Sequence, residues 1–406
     1  MNASISEIPA RHPAAPRKIA GLDLISARLG VCAPSAEEWA TLGADLLVGD
    51  EPMDRLLDWM AEVGLERTRP MFDRAVRLGI DQVPEAPEPL REFFARIEQE
   101  PEWVDHDMLR RGAWVYRSGG VDGVYLARDV AFLGGYLASG FNRTLLRTGA
   151  LERGPARRFA ETLQWALDVT SENGMHERGP GYRSTIHVRL IHSFVRRHVA
   201  AMPDWETREW GIPINQTDMA ATLVGSLMVP VLVGMAMGIV PRRADLEAAA
   251  HLTRYVGWLM GVQDDLLPKS FQDSVRILRL TLAAITNPDE TSSRLARSLA
   301  DDPLAWHYRR LAPQRRKLAR AQHLSLASTF LGARAMRHLG LPGRATPWYP
   351  LMRLPVNIAR SATTRMIPGS AEYFAARGRR AQEGFLRTLV GSEPAVIGGS
   401  VSHHPA

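Results

Sequence analysis

The feature that most constrains the fold is an uncharged segment in the middle of the chain. From Met219 to Val240 no charged side chain occurs, although Asp218 precedes the segment and Arg242 follows it. About 20 apolar residues is the length at which a helix can cross a membrane. The segment also contains glycines, a proline and hydroxyl side chains, and the central helix of a large all-helical protein is equally apolar on every side. We therefore expect a buried central helix, with a membrane span or a membrane-surface contact as the alternatives.

The rest of the chain also favours helices over strands. Apolar residues recur mostly at steps of three and four, the spacing that lines one face of a helix. Asn173-Gly174, a pair common in hairpin turns, lies between helical patterns, and prolines interrupt residues 342–368 as is typical of loops. We therefore predict an all-α fold. The predicted helices cover residues 35–41, 45–65, 89–99, 107–118, 121–147, 154–170, 185–202, 216–239, 243–260, 273–286 and 303–340.

The domain organisation follows from the two ends of the chain. Residues 1–30 contain Pro9, Pro13 and Pro16 and are predicted to be a flexible lead-in. Residues 31–370 are predicted to form a single helical domain, and residues 371–406 a C-terminal helix and a flexible tail. The N-terminal residues include no apolar run of secretory length, so we expect a cytoplasmic protein.

Cysteine and charge exclude several classes of function. Cys32 is the only cysteine, which excludes an intrachain disulfide, a cysteine-rich zinc site and an iron–sulfur cluster. The 50 Lys and Arg residues exceed the 44 Asp and Glu residues by six. Because the basic pairs are scattered and form no stripe with aromatic residues between them, we expect no nucleic-acid partner.

Two predicted helices carry polar stripes that would face each other. The spacing places one stripe on the helix after Gly154 and the other on the helix after Gly181. The residues of the first stripe are Arg158, Glu161, Thr162 and Trp165, and those of the second are Thr185, Arg189, His192 and Arg196. Together they would place one imidazole among several guanidiniums inside an apolar bundle.

The imidazole of His192 is a candidate metal ligand. Burial and the nearby charges of Arg189 and Arg196 should keep it neutral, and a neutral imidazole can bind a metal. Both guanidiniums could pair with carboxylates of the propionate kind. One histidine with anion-binding arginines is a haem-type arrangement, because haem iron needs only one or two protein ligands. The alternative is a core histidine bonded to a backbone carbonyl.

Three sequence runs resemble the latex clearing protein family of rubber oxygenases and the related MpaB-type oxygenases. The runs are residues 157–165, 181–196 and 210–223, and the similarity extends over about residues 110–369. The resemblance implies a globin-related helical bundle with a b-type haem between its central helices. It also implies an enzyme that uses O2 to split carbon–carbon double bonds of isoprenoid chains.

The resemblance assigns roles to individual residues. It implies that His192 is the proximal haem ligand and that Arg158 and Thr162 act on the distal side. Glu161 stands where the rubber oxygenases have a lysine, which favours an open or water-bound iron. Asn142 stands where they have a glutamate proposed as the catalytic base, and an amide cannot remove a proton at neutral pH. A shifted alignment would give that role to Glu161 or to Glu152.

The start of the uncharged helix offers further cofactor-binding candidates. Thr217 and Asp218 precede the apolar run as N-cap candidates. The functional alternative is that Thr217 or Thr222 faces the cofactor.

Two other motifs are weaker. Asp264-Asp265 resembles half of a prenyl-diphosphate motif that holds Mg²⁺, with a solvated pair at a helix end as the alternative. His187 points about 140° away from His192 on the same helix, which argues against a shared metal ion. His198 is expected nearer the surface.

Two functions remain open at this stage. The first is a haem-dependent oxygenase in which apolar walls from Leu223 to Met237 hold a hydrophobic, unsaturated, isoprenoid or lipid-like substrate, with O2 as the second substrate. The second is a non-catalytic haem- or lipid-binding helical protein, suggested by Asn142 and by Glu161 in place of the lysine.

Overall fold

The computed structural model describes residues 8–149, 154–393, 395 and 397. Within them no β-strand forms, and a single isolated bridge joins Ala138 to Asn287. The prediction of an all-α fold is confirmed. The first eight helices are α1 Ala20–Arg28, α2 Ala36–Ala44, α3 Glu51–Val63, α4 Leu65–Leu78, α5 Glu88–Glu98, α6 His106–Leu126, α7 Leu133–Gly135 and α8 Ser139–Arg147. The remaining ten are α9 Pro155–Val169, α10 Pro180–Ala200, α11 Thr207–Trp210, α12 Gln216–Ala236, α13 Arg243–Leu259, α14 Phe271–Ile285, α15 Glu290–Asp301, α16 Ala312–His338, α17 Trp348–Met366 and α18 Ser370–Val390.

Helix α6 is the element around which the others pack. Its first turn is capped by Asp105, whose carboxylate accepts hydrogen bonds from the backbone amides of Asp107 and Met108. Helix α13 crosses it at Gly112, where a Cβ atom would lie 2.5 Å from the carbonyl oxygen of Ala248. Glycine at this point lets the two backbones approach. Helices α12 and α18 pack on the other sides of α6.

The uncharged segment forms α12, which lies in the core as expected. The helix packs against α6, α13 and α14, and Asn215 caps its start by accepting a hydrogen bond from the amide of Asp218 at 2.9 Å. In length and composition α12 could cross a membrane, and 56% of its most apolar window is buried inside the protein. Those buried contacts are typical of a core helix.

The described part of the N-terminal segment packs on the body of the protein, so the predicted flexible lead-in is wrong for residues 8–30. Arg11 is buried, and its Nη1 and Nη2 lie 3.1 and 2.7 Å from the carboxylate oxygens of Asp218. Helix α1 lies within the same segment, where Asp23 accepts a hydrogen bond from Arg279 at 2.8 Å. The prolines gave no indication of these ion-pair partners because they lie more than 200 residues away.

The proline-rich region is helical, contrary to expectation. Helix α17 includes Pro350 in its first turn, where a missing backbone N–H leaves no bond unmade. Pro355 lies inside the helix on its exposed side. The sequence patterns also failed to predict helices α4 and α15. The C-terminal helix α18 packs along α6, where Nε2 of Gln382 donates a hydrogen bond to the carbonyl oxygen of Tyr116 at 2.9 Å.

Candidate functional site

The two predicted polar stripes face each other in the structure. Helix α9 begins at Pro155 and α10 at Pro180, and in both a proline occupies the first helical position, where its fixed φ suits the helix. The indole Nε1 of Trp165 donates a hydrogen bond to the hydroxyl oxygen of Thr185 at 3.0 Å. This bond joins the C-terminal part of one stripe to the N-terminal part of the other.

His192 lies largely buried on α10 with an unused ring nitrogen. Its Nδ1 is buried, and no group in the described part of the chain forms a hydrogen bond with it. Burial, reinforced by the positive charges of Arg196 and Arg158, lowers the pKa of the imidazole to about 4. The ring is therefore neutral at physiological pH. The alternative interpretation, a core histidine bonded to a backbone carbonyl, requires a hydrogen bond that Nδ1 does not form with any described residue.

Arg158, whose charge acts on His192, is another polar side chain with an incomplete set of partners. Its Nε atom is buried without a hydrogen-bond partner among the described residues. Burial lowers the pKa of its guanidinium, and the charge contributes to the lowered pKa of His192. Because an arginine stays charged in proteins, this side chain can receive an anion or a polar oxygen.

The other two catalytic candidates lie one turn further along α9. The hydroxyl of Thr162 donates to the carbonyl oxygen of Arg158 at 3.2 Å. The Oε1 atom of Glu161 lies 3.8 Å from Nε of Arg157. Glu152, the alternative base, lies outside the described residues.

Asn142 is a structural residue in this fold. The side chain is fully buried, and its Nδ2 donates to the carbonyl of Tyr136 at 2.7 Å and to the hydroxyl of Thr291 at 3.1 Å. These bonds tie α8 to α15. They use the amide as a donor, which a glutamate carboxylate could not provide.

Both arginines of the α10 stripe already have carboxylate partners. Arg189 forms a bidentate pair with Asp50, at 2.6 and 2.8 Å, and donates to the carbonyl of Leu259 at 3.1 Å. Arg196 pairs with Asp54 at 2.5 Å and donates to the carbonyl of Ile214 at 2.9 Å. Their role as cofactor ligands stays a prediction, and the contacts observed here fix α10 against α3. The sequence did not predict either aspartate as a partner, because Asp50 is 139 positions from Arg189 and Asp54 is 142 positions from Arg196.

The two threonines of α12 differ in their surroundings. Thr217 is fully buried, and its hydroxyl donates to the carbonyl of Leu42 at 2.7 Å. It does not cap the helix, because Asn215 does. Thr222 donates to the carbonyl of Asp218 at 2.8 Å and is exposed, although Ala221 and Leu223 on either side are buried. Its cofactor role stays a prediction.

A cavity of about 490 Å³ lies between α6, α9, α12, α17 and α18. The two stripe residues that line it are Thr162 and Trp165 of α9, and His192 is not among its lining residues. The interior of the cavity is mainly apolar. Some of the charged side chains that line it are exposed, and these lie at its mouth. The apolar lining includes Trp114, Phe132, Phe159, Leu163, Leu227 and Val231. The predicted wall from Leu223 to Met237 thus contributes two of these residues.

The weaker motifs lie away from this region. The Nε2 of His187 lies 3.1 Å from the carboxylate of Asp73, on the side of α10 that faces α4. His198 is exposed. Asp264 and Asp265 begin a short 3-10 turn, and the described residues contain no group of three or more His, Cys, Asp or Glu side chains that could hold a metal ion. The diphosphate interpretation gains no support.

Comparisons with known proteins identify relatives of this chain. The family described as "ER-bound oxygenase mpaB/B'/Rubber oxygenase, catalytic domain" matches residues 123–363. A rubber oxygenase of Streptomyces sp. (strain K30) is 27% identical over 191 residues, which cover 46% of this chain and 46% of that protein. The chain thus aligns with about half the length of this curated relative.

A solved structure supports the same relationship at the level of the fold. The structure of latex clearing protein LCP in the closed state matches with a TM-score of 0.58 and 19% identity, covering 84% of this chain and 91% of that one. The family match and the predicted extent of the resemblance agree. The chain belongs to the family of mpaB-type and rubber oxygenase catalytic domains.

Proposed function

We propose that this protein is a haem b-dependent oxygenase that acts with O2 on an unsaturated, apolar substrate of isoprenoid or lipid-like chemistry. The observation that carries the proposal is the buried Nδ1 of His192, which has no hydrogen-bond partner in the described part of the chain. A buried polar atom of this kind costs about 1–3 kcal/mol when it stays unpaired. A ligand at this ring would offset that cost.

The side chains around His192 fit a haem. A metal ligand must be a neutral imidazole, and burial lowers the pKa of His192 to about 4. A porphyrin supplies four ligands itself, so one histidine suffices where the described residues hold no larger metal-binding group. His192 would hold the iron, and Arg158 would offer a hydrogen-bond donor to an oxygen or carboxylate of the bound group. When bound, the haem would supply the iron that activates O2.

The chain's own residues position these groups. Asp50 and Asp54 hold the guanidiniums of Arg189 and Arg196, one turn before and one turn after His192. These two pairs, of which Arg189–Asp50 is fully buried, fix the rotation of α10 about its axis, and with it the direction in which the imidazole projects.

The cavity is the proposed substrate site. Its volume falls within the range of about 300–1,000 Å³ that is usual for small-molecule sites, and its walls are mainly apolar. Thr162 lines this cavity and bonds to the backbone of Arg158, so α9 joins the substrate space to the His192 region.

Glu161 is the remaining candidate base: it precedes Thr162 on α9 but does not itself line the cavity. Asn142 cannot act as a base, because its amide is neutral and bonded to the backbone of Tyr136. Glu161 is the carboxylate of α9 that lies within one turn of both Arg158 and Thr162.

A second candidate function is a non-catalytic protein that binds haem or lipid. The buried amide of Asn142 favours it, since a structural amide occupies the position where the resemblance expects a base.

Absorption spectra and oxygen uptake separate these functions. We expect purified protein to show a Soret band, as isolated or after addition of hemin, and to consume O2 when given an unsaturated isoprenoid. A Soret band without O2 uptake would support the non-catalytic protein. A colourless protein that stays colourless with hemin would contradict both haem proposals.

A further inference from the structure

Helix α17 exposes a long apolar face. Met352, Val356, Ala359 and Met366 follow one another at steps of four, three and seven residues, so they share one side of the helix. Met352 is 53% exposed and Met366 is 73% exposed. Other exposed apolar residues on or directly after this helix are Leu351, Pro355, Ile358 and Ile367.

This face concentrates the apolar surface of the molecule. Of the 17 large hydrophobic side chains that are exposed in the described residues, seven lie between positions 351 and 373. Val240, also exposed, adjoins them, because its amide donates to the hydroxyl of Ser361 and its carbonyl accepts from Arg365. Contiguous apolar surface of this kind marks an interaction site for a protein, a membrane or a ligand.

The charges on α17 are all positive. The helix contains three arginines and no acidic residue. Arg353 is neutralised by Asp122, whose carboxylate lies 2.8 Å from its Nη2. Arg360 and Arg365 form no salt bridge with any described residue, and Nη2 of Arg360 is buried without a hydrogen-bond partner. Of these two arginines only Arg365 is exposed. An apolar face with an exposed, unpaired arginine and no acidic residue is typical of helices that lie in the interface of an anionic membrane.

The same helix forms part of the cavity wall. Arg360, Ser361, Thr364 and Arg365 line the cavity, and Val240 lines it from the end of the α12 region. Val240 and Arg365 are exposed as well as lining the cavity, so they connect the cavity mouth with the apolar face.

We propose that the exposed face of α17 docks on an anionic lipid bilayer and that the cavity mouth opens toward that surface. Apolar molecules dissolved in the bilayer would then reach the cavity without crossing water. Docking stands independently of the oxygenase proposal, because it depends only on the surface of α17.

Two other occupants fit the observations less well. In a symmetric dimer the patch would pack against its own copy, and because α17 contains no acidic residue, Arg365 would find no opposite charge on the facing helix. Attachment through α12 would require a helix that packs on α6, α13 and α14 to leave the core. A membrane with negative headgroups satisfies both the apolar face and the charges.

Vesicle sedimentation tests the docking surface. We expect full-length protein to sediment with vesicles of phosphatidylcholine and phosphatidylglycerol, and much less with phosphatidylcholine alone. The double variant Met352→Glu/Val356→Glu should reduce the bound fraction at least roughly tenfold, since it places two charges in the apolar contact. The matched control Leu304→Glu/Leu318→Glu changes two exposed leucines elsewhere and should bind as wild type does. Equal loss in both variants, or no loss in the first, would overturn the proposal.

A site-specific fluorophore gives a second readout. Cys32 is exposed and is the only cysteine, so labelling it provides a control position, and Met352→Cys in a Cys32→Ser background places the label on α17. An environment-sensitive label should shift to the blue with anionic vesicles at position 352 and remain unchanged at position 32. No shift at position 352 would contradict docking there. A wild-type dimer that Met352→Glu/Val356→Glu turns into a monomer, without vesicle binding by either, would assign the face to a second copy instead.

Discussion

Two buried histidines of this protein have opposite surroundings. The Nδ1 of His323 lies 2.5 Å from the carboxylate of Asp129, which also pairs with Arg128 at 2.8 Å. The other ring nitrogen of His323 is buried without a partner among the described residues, and the rings of Tyr125 and Trp306 pack edge-on against the imidazole, with centroids 4.8 and 5.0 Å away. The Nδ1 of His192 has no such carboxylate.

The carboxylate partner of His323, which the Nδ1 of His192 lacks, indicates which of the two imidazoles can accept a ligand. Around His323 the positive charge of Arg128 is balanced by Asp129 and Asp302, and the guanidinium also donates to the carbonyl of Leu299 at 2.6 Å. A polar cluster whose charges are balanced in this way holds helices together, although Nε2 of His323 and Nε of Arg128 have no partner among the described residues. This cluster includes the π-helical turn Ala127–Phe132, and it joins that turn to α15 and α16. His192 differs because no described carboxylate bonds to its Nδ1, so no ion pair competes with a ligand there, which favours a binding role.

The largest expected effect is the loss of haem in His192→Ala. Removing the proposed iron ligand should abolish the Soret band, and His187→Ala should retain it, because that imidazole binds Asp73. His323→Ala should also retain haem, although it should be less stable. Haem content per protein, measured after reconstitution with hemin, checks all three variants. Full occupancy in His192→Ala would show that iron is held elsewhere.

The next largest effect concerns stability at the second histidine. Asp129→Ala leaves Arg128 and His323 buried without their shared carboxylate, and removal of one partner of a buried pair costs about 3–5 kcal/mol. Urea unfolding should show this loss, with any haem spectrum unchanged in position. Asp58→Ala is the matched control, because its pair with Arg197 is exposed and contributes at most about 1 kcal/mol. Similar losses in both variants would mean that the cluster is no more important than a surface pair.

Acid should destabilise the haem-free protein through His192. Burial and Arg196 hold the pKa of the folded imidazole at about 4, below its ordinary value of 6.5. Between these values the unfolded chain binds a proton that the folded protein excludes, so this stabilisation is complete above about pH 6.5 and is lost as the pH falls toward 4. At about 1.4 kcal/mol per pKa unit, the full loss is about 3.5 kcal/mol.

The comparison of wild type with His192→Ala isolates this contribution. Burial also lowers the pKa of His323, but that residue is present in both proteins and its effect cancels. The free energy of unfolding, measured in urea at neutral pH and near pH 5, should fall more in wild type than in the variant. Equal falls would mean that His192 is accessible to protons in the folded protein.

The sequence predicted the helices and stripes of the site but not the groups that hold them. Spacing on α9 and α10 placed Trp165 and Thr185 on facing sides, because helical geometry is local. Asp50 could not be predicted as the partner of Arg189, since their contact depends on how α3 packs against α10. Likewise the sequence did not predict α17, because prolines are typical of loops. Only the structure shows that Pro350 lies in the first turn of the helix and Pro355 on its exposed side.

The smallest expected effect is a spectral shift in Glu161→Lys. Glu161 lies three residues after Arg158 on α9, at the position where the resemblance expects a lysine. If the side chain at position 161 faces the distal side of the haem, an introduced amine can reach the iron and convert it toward a six-coordinate form. The absorption spectrum should then change, whereas Arg157→Lys, on the exposed side of the same helix, should leave it unaltered. An unchanged spectrum in Glu161→Lys would place this residue outside the distal pocket. Arg158 would then be the only charged side chain that α9 contributes to that pocket.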